Sequence, residues 1–159
     1  MELHREFEEM LSELSDANAR FMIVGAFAVA HHAEPRYTKD LDIWVDGTPE
    51  NAQRVWRALA RFGAPLECVS PRDFESPNTV YQIGVEPKRI DVMTSIDGVT
   101  FANAWRRRIR VDLGRLSVYY IGRNDLIRTK RAVGRPQDLL DVRVLSPKPR
   151  RPQKRRRRR

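Results

Sequence analysis

The order strand, glycine, short helix, then two acids on the next strand constrains this chain more than any other feature. The residues are Ile23-Val24-Gly25-Ala26 and, fifteen positions after Gly25, Asp40-Leu41-Asp42. Side chains alternate along a strand, so Asp40 and Asp42 project from one face. Their Cα atoms lie roughly 6.5–7 Å apart, which lets the two carboxylates converge on one hard cation or a pair. A glycine turn ahead of a helix presents backbone N–H groups to a phosphate. Acids that hold Mg²⁺ beside a turn that holds phosphate make a workable site for phosphoryl chemistry. Taken alone, Asp-x-Asp equally describes a solvated edge strand. A lone glycine equally serves a tight turn or close helix packing.

Hydrophobic spacing extends this nucleus in both directions. Leu3, Phe7, Met10, Leu11 and Leu14 recur at helical intervals and predict an amphipathic helix over 2–17. Phe21–Val24 reads as a buried strand, and Ala26–His32 as a short helix ended by Glu34-Pro35. On the acidic strand, Leu41, Ile43 and Val45 face the core, leaving Asp40, Asp42 and Trp44 on the other side. Thr48-Pro49 caps a helix that Gly63 stops. Residues 64–78 read as a loop with a short strand near Glu67–Val69. A hairpin over 79–94 turns at Glu86-Pro87, and its second strand carries Asp91 between Ile90 and Val92. A short basic helix over 100–108, a strand over 116–121, and helices over about 123–133 and 136–145 complete the order α-β-α-β-α-β-β-α-β-α-α. That order predicts an α+β domain over 1–146, a mixed sheet with helices mainly on one face.

The formal charge is +9, but its location matters. Residues 148–159 hold nine Lys or Arg and no acid, which leaves 21 basic and 21 acidic residues in 1–147. The body is neutral. The Arg-rich stretch over 147–159 predicts a disordered tail that contacts phosphate backbones without reading sequence. Cys68 is the single cysteine, so no intrachain disulfide forms, which fits a cytoplasmic setting. No apolar run approaches the roughly 18 residues of a membrane span, so no membrane partner is expected.

These pieces together resemble the nucleotidyltransferase superfamily with the DNA polymerase β-like palm. That pattern runs apolar-Gly-Gly/Ser, about a dozen residues, Asp-x-Asp/Glu, then a third acid on a later strand. Here thirteen residues separate Ala26 from Asp40, and the third acid is Asp91 in Arg89-Ile90-Asp91-Val92-Met93. Arg36 to Asp42 looks most like the small AbiEii-type and related bacterial nucleotidyltransferases. Ala26 departs from the pattern, which has Gly or Ser there. A hydroxyl ligand to phosphate is lost, while the backbone N–H remains.

The resemblance implies an NTP substrate and Mg²⁺, as two ions, held by Asp40, Asp42 and Asp91. Nucleotide contacts fall to Gly25, Ala26, Thr38, Lys130 and Asp138. Asp91 has a plainer reading as the ion-pair partner of Arg89 or Lys88. Arg36 would meet phosphate or Glu34. Asp138 and Asp141 would equally favour a helix dipole and pair with Arg135, and for Asp141 that reading is preferred. His31-His32 lacks a further ligand at metal spacing and reads as structural or surface. In the AbiEii-type group the acceptor hydroxyl can belong to tRNA, and the role can be that of a toxin paired with an antitoxin protein. Small molecules and proteins are acceptors in other branches. Two rival readings stand beside this one: an inactive palm-fold binding module, which Ala26 favours, and a nucleic-acid adaptor that works through its basic tail.

Overall fold

The computed structural model describes residues 3–147, so the expected tail from 148 onward lies outside the described residues. Helix α1 (Arg5–Asp16) buries Phe7, Met10, Leu11 and Leu14 along one stripe. Strand β1 (Phe21–Val24) is buried throughout and runs directly into α2 (Gly25–His32). Strand β2 (Asp40–Val45) lies antiparallel to β1, with Val24 opposite Asp42. Helix α3 (Pro49–Phe62) begins as expected, with Thr48 Oγ1 accepting from the Asn51 N–H, and ends at Gly63 in the left-handed region.

The next segment departs from expectation. No strand forms near Glu67–Val69; a single 3-10 turn at Pro71–Phe74 takes its place. Ser70-Pro71-Arg72-Asp73 is a capping box, in which the Asp73 carboxylate accepts from the Ser70 N–H at 2.7 Å. The turn buries Phe74 against α3. The hairpin is present as β3 (Val80–Ile83) and β4 (Arg89–Met93). After α4 (Phe101–Arg106) comes β5 (Ile109–Leu113), a strand absent from the expected order, paired with β6 (Leu116–Tyr120). Helices α5 (Arg123–Val133) and α6 (Pro136–Leu145) pack on each other.

The strands form one mixed sheet in the order β3-β4-β2-β1-β6-β5. Strand β4 runs parallel to β2 in a register that sets Asp42 beside Asp91 and Asp40 beside Arg89. Leu41, Ile43 and Val45 are fully buried, as the alternation predicts. Trp44 shares the acids' face yet is buried too. Its ring meets Phe101 of α4 edge-on at 5.1 Å, and its Nε1–H donates to the Thr94 carbonyl. The far end of that face is therefore roofed by α4, while Asp42, nearer its start, faces a cavity that α2 and α5 help to line. No helix among the described residues is long and apolar enough to cross a membrane.

Candidate active site

Gly25 is where strand becomes helix, with φ of +64°. A Cβ built there would stand 1.9 Å from Oδ2 of Asp42. The β1–β2 register drives the acid up against the turn, and only glycine leaves it room. This glycine is required twice over, by its dihedral and by its neighbour.

Asp42 forms part of the lining of a cavity of about 550 Å³. Gly25, Ala26, Arg36, Lys130 and Asp138 line the same cavity. The Asp42 carboxylate makes no hydrogen bond or ion pair with any described residue. Burial pushes its carboxyl up to about 6, and the negative charges of Asp91 and Asp40 add to the shift against the pull of Lys130 and Arg89. Asp40 is also raised, first by burial, with Arg89 opposing and Glu86 and Asp91 adding. Its Oδ1 is buried without a hydrogen-bond partner. Three carboxylates sharing a face, two of them held above their ordinary range, form an environment short of positive charge.

Arg89 supplies part of that charge. Its guanidinium donates from Nε to Asp91 Oδ1 at 3.0 Å and from Nη2 to Asp91 Oδ2 at 3.1 Å, and Nη2 stands 3.1 Å from Asp40 Oδ2. The plainer sequence reading of Asp91, as partner of Arg89, is thus what the structure displays. Among the described residues, no three His, Cys, Asp or Glu side chains stand in the arrangement of a metal site. Asp40, Asp42 and Asp91 are neighbours by register, with the arginine drawn in between two of them. The donor set suits Mg²⁺ nonetheless: hard carboxylate oxygens, one orphaned and one unneutralised.

The opposite wall is a buried ion network. Lys130 Nζ lies 3.1 Å from Asp138 Oδ1 and 3.0 Å from Asp141 Oδ2. Asp138 also accepts from Arg135 Nε at 2.7 Å and from the Arg135 backbone N–H, so it caps α6 and orients the lysine at once. Asp141 corrects the sequence reading: its partners are Arg36 Nη1 at 2.7 Å, Lys130 and Gln137, not Arg135. Arg36 accordingly meets Asp141 and not Glu34. Burial works to raise both acids, but hydrogen bonds outweigh it and hold each below the usual carboxylate range. Arg135 and Lys130 do this for Asp138, and Arg36, Lys130 and Gln137 for Asp141. Replacing Lys130 with Met is expected to cost about 2–3 kcal/mol in urea denaturation. That is below the roughly 3–5 kcal/mol for breaking a buried pair, because each acid keeps an arginine.

Thr38 is not brought into this cavity. It lines a neighbouring one with Tyr37, Pro87 and Lys88, and its buried Oγ1 makes no hydrogen bond. His32 is structural, as read: its Nε2–H donates to the Ile121 carbonyl at 2.7 Å.

A family model described as nucleotidyltransferase of unknown function (DUF6036) matches residues 1–145. The chain belongs to this nucleotidyltransferase family. No protein of curated function matches its sequence. Among solved structures, the nucleotidyltransferase is similar to the lincosamide antibiotic adenylyltransferase LnuA, determined with lincomycin bound. The TM-score is 0.58 at 14% identity, over 91% of this chain and 96% of that one. It is also similar to a putative nucleotidyltransferase from Thermotoga maritima, with TM-score 0.60 at 14% identity, over 87% and 89% of the two chains. At such identities the likeness concerns the fold, and the mixed α+β architecture agrees with it.

Proposed function

We propose that this chain transfers a nucleoside monophosphate from an NTP to a hydroxyl acceptor, using Mg²⁺ held by Asp40, Asp42 and Asp91. The observation that carries this reading is the register that seats Asp42 beside Asp91, under the Gly25 turn and at a cavity walled by Lys130. Bound Mg²⁺ would neutralise triphosphate charge. The backbone N–H groups at Gly25 and Ala26 and the Lys130 ammonium bind and orient the phosphates. Asp138 and Asp141 fix the lysine, so little reorganisation is needed when the substrate arrives. The acceptor oxygen forms a bond to the α-phosphorus, the bond to the β-phosphate bridging oxygen breaks, and pyrophosphate departs. The hydroxyl proton passes to a carboxylate oxygen of Asp91.

The acceptor class we favour is RNA, with tRNA first, and an antitoxin as protein partner. The AbiEii-like stretch from Arg36 to Asp42 and the nine cations of 148–159 support this. A small-molecule hydroxyl is the second arm, supported by the fold shared with a lincosamide adenylyltransferase. The deciding experiment incubates the protein with each α-labelled NTP, Mg²⁺, and either total tRNA or a panel of hydroxylated antibiotics, beside Asp42→Asn. Label transfer that vanishes in the variant is the expected result. The rival reading, a palm-fold binding module, is favoured by the ion pairs that engage Asp40 and Asp91 and by Ala26. It wins if Mg²⁺-NTP binds and no acceptor is ever labelled.

A further inference from the structure

We propose that Arg89 is a built-in competitor for the cation site, a guanidinium that holds Asp40 and Asp91 together until a divalent ion displaces it. This rests on the reading of Asp40, Asp42 and Asp91 as ligands. Three observations carry it. Arg89 bonds Asp91 through two parallel contacts and reaches Asp40 through the same Nη2, so one fork bridges two of the three acids. The register places the Arg89 backbone beside Asp40, which makes this bridge a product of strand pairing and not of chance rotamer choice. The third acid, Asp42, receives no such partner and stays open to the cavity.

The division of labour follows from geometry. A first divalent ion enters at Asp42, which lines the cavity and which Arg89 leaves untouched. A further ion needs Asp91, and Asp91 presents both of its oxygens to Arg89. The arginine side chain is 30% exposed, so water lies on its outer side and it has a route out. Arg89 is thus a positioning residue. It keeps like charges close without a metal and sets the metal concentration at which the acids are released.

The test reads cation binding directly, with Mn²⁺ as probe and no acceptor or turnover required. Arg89→Gln is expected to bind Mn²⁺ at least ~10-fold more tightly than the wild type in titration calorimetry or electron spin resonance. Arg89→Lys keeps the charge but loses the fork, so it is expected to bind several-fold more tightly as well. A lysine variant equal to wild type beside a tighter glutamine variant would reduce the effect to net charge and overturn the proposal. In the wild type, the Arg89 Nε–H resonance, assigned by through-bond correlation to the Arg89 backbone amide, is expected to move as Mg²⁺ reaches saturation. A resonance that stays put at saturation overturns the proposal even if the variants do not fold. Failure of the underlying reading looks different: neither wild type nor variants bind Mn²⁺, or binding survives Asp42→Asn.

Discussion

Asp42→Asn is expected to abolish nucleotidyl transfer, by on the order of 10³-fold or more, while making the metal-free protein more stable. Loss of activity follows from removing a carboxylate that faces the cavity beside the Gly25 turn without a partner among the described residues. The gain in stability follows from the same isolation. The ionised group lies against Asp91 and Asp40, and its carboxyl is pushed up to about 6 from an ordinary value of 3.8. A folded-state value above the unfolded one means that folded protein binds the proton more tightly. Stability of the wild type therefore falls as pH rises from about 4 to about 6, and the full penalty persists at neutral pH. Two pKa units correspond to about 3 kcal/mol as a ceiling, and we expect about 1–3 kcal/mol after relaxation. Thermal melts in EDTA across pH 4–8 check this. The wild type should slope downward through that window and the variant should slope less, its remainder coming from Asp40, which burial also raises. At neutral pH the variant should melt higher by roughly 2–4 °C per kcal/mol. A variant that melts lower, with no change in the pH profile, contradicts the account of Asp42 as a strained acid kept for function.

Gly25→Ala is the second large effect. The added methyl would meet Asp42 Oδ2 at 1.9 Å and impose a side chain at φ +64°. The dihedral alone costs about 1–2 kcal/mol, and the overlap adds about 1–3 kcal/mol as the carboxylate is driven aside. An ångström of misplacement at a reacting centre costs on the order of 10²-fold, so activity should drop further than stability suggests. A double-mutant cycle with Asp42→Ala separates the parts. Removing the carboxylate removes most of the overlap, leaving Asp42 Cβ at 3.0 Å, and the cost of Gly25→Ala should shrink toward the backbone share. Strict additivity in urea denaturation would show that the turn and the acid do not press on each other.

Much of this site could be read from residue order. Strand, glycine, helix and Asp-x-Asp are contiguous, and local chemistry decides each: period-2 alternation, a turn glycine, proline at helix starts. The acidic trio needed one inference beyond that, that Asp91 sits on a neighbouring strand, and the β2–β4 register agrees. What stayed hidden depends on partners distant in sequence. Asp141 looked like a helix-dipole residue because its arginine, Arg36, lies 105 positions away. Alternation put Trp44 on the acids' face but could not name what covers it, because α4 belongs to a later segment. Strand β5 does alternate, Ile109-Arg110-Val111-Asp112-Leu113, but the cations just before it blurred its start. The strand expected near Cys68 fails for a local reason that was visible: Ser70 and Asp73 form a cap, and caps begin turns. Thr38 shows the limit of carrying a pattern across by position, since one residue separates it from Asp40 yet it opens into a different cavity.

The sheet order has a consequence for how the molecule is made. Central strand β1 emerges early, yet its second neighbour, β6, is synthesised almost a hundred residues later. Until then β1 has one bare margin, apolar on both sides and able to recruit a strand from another nascent copy. The site is completed later still, since Lys130 waits for α5, which follows β6. A polypeptide cut short before that point would carry its cluster of negative charge against Arg89 alone, with Asp42 lacking the pull of Lys130.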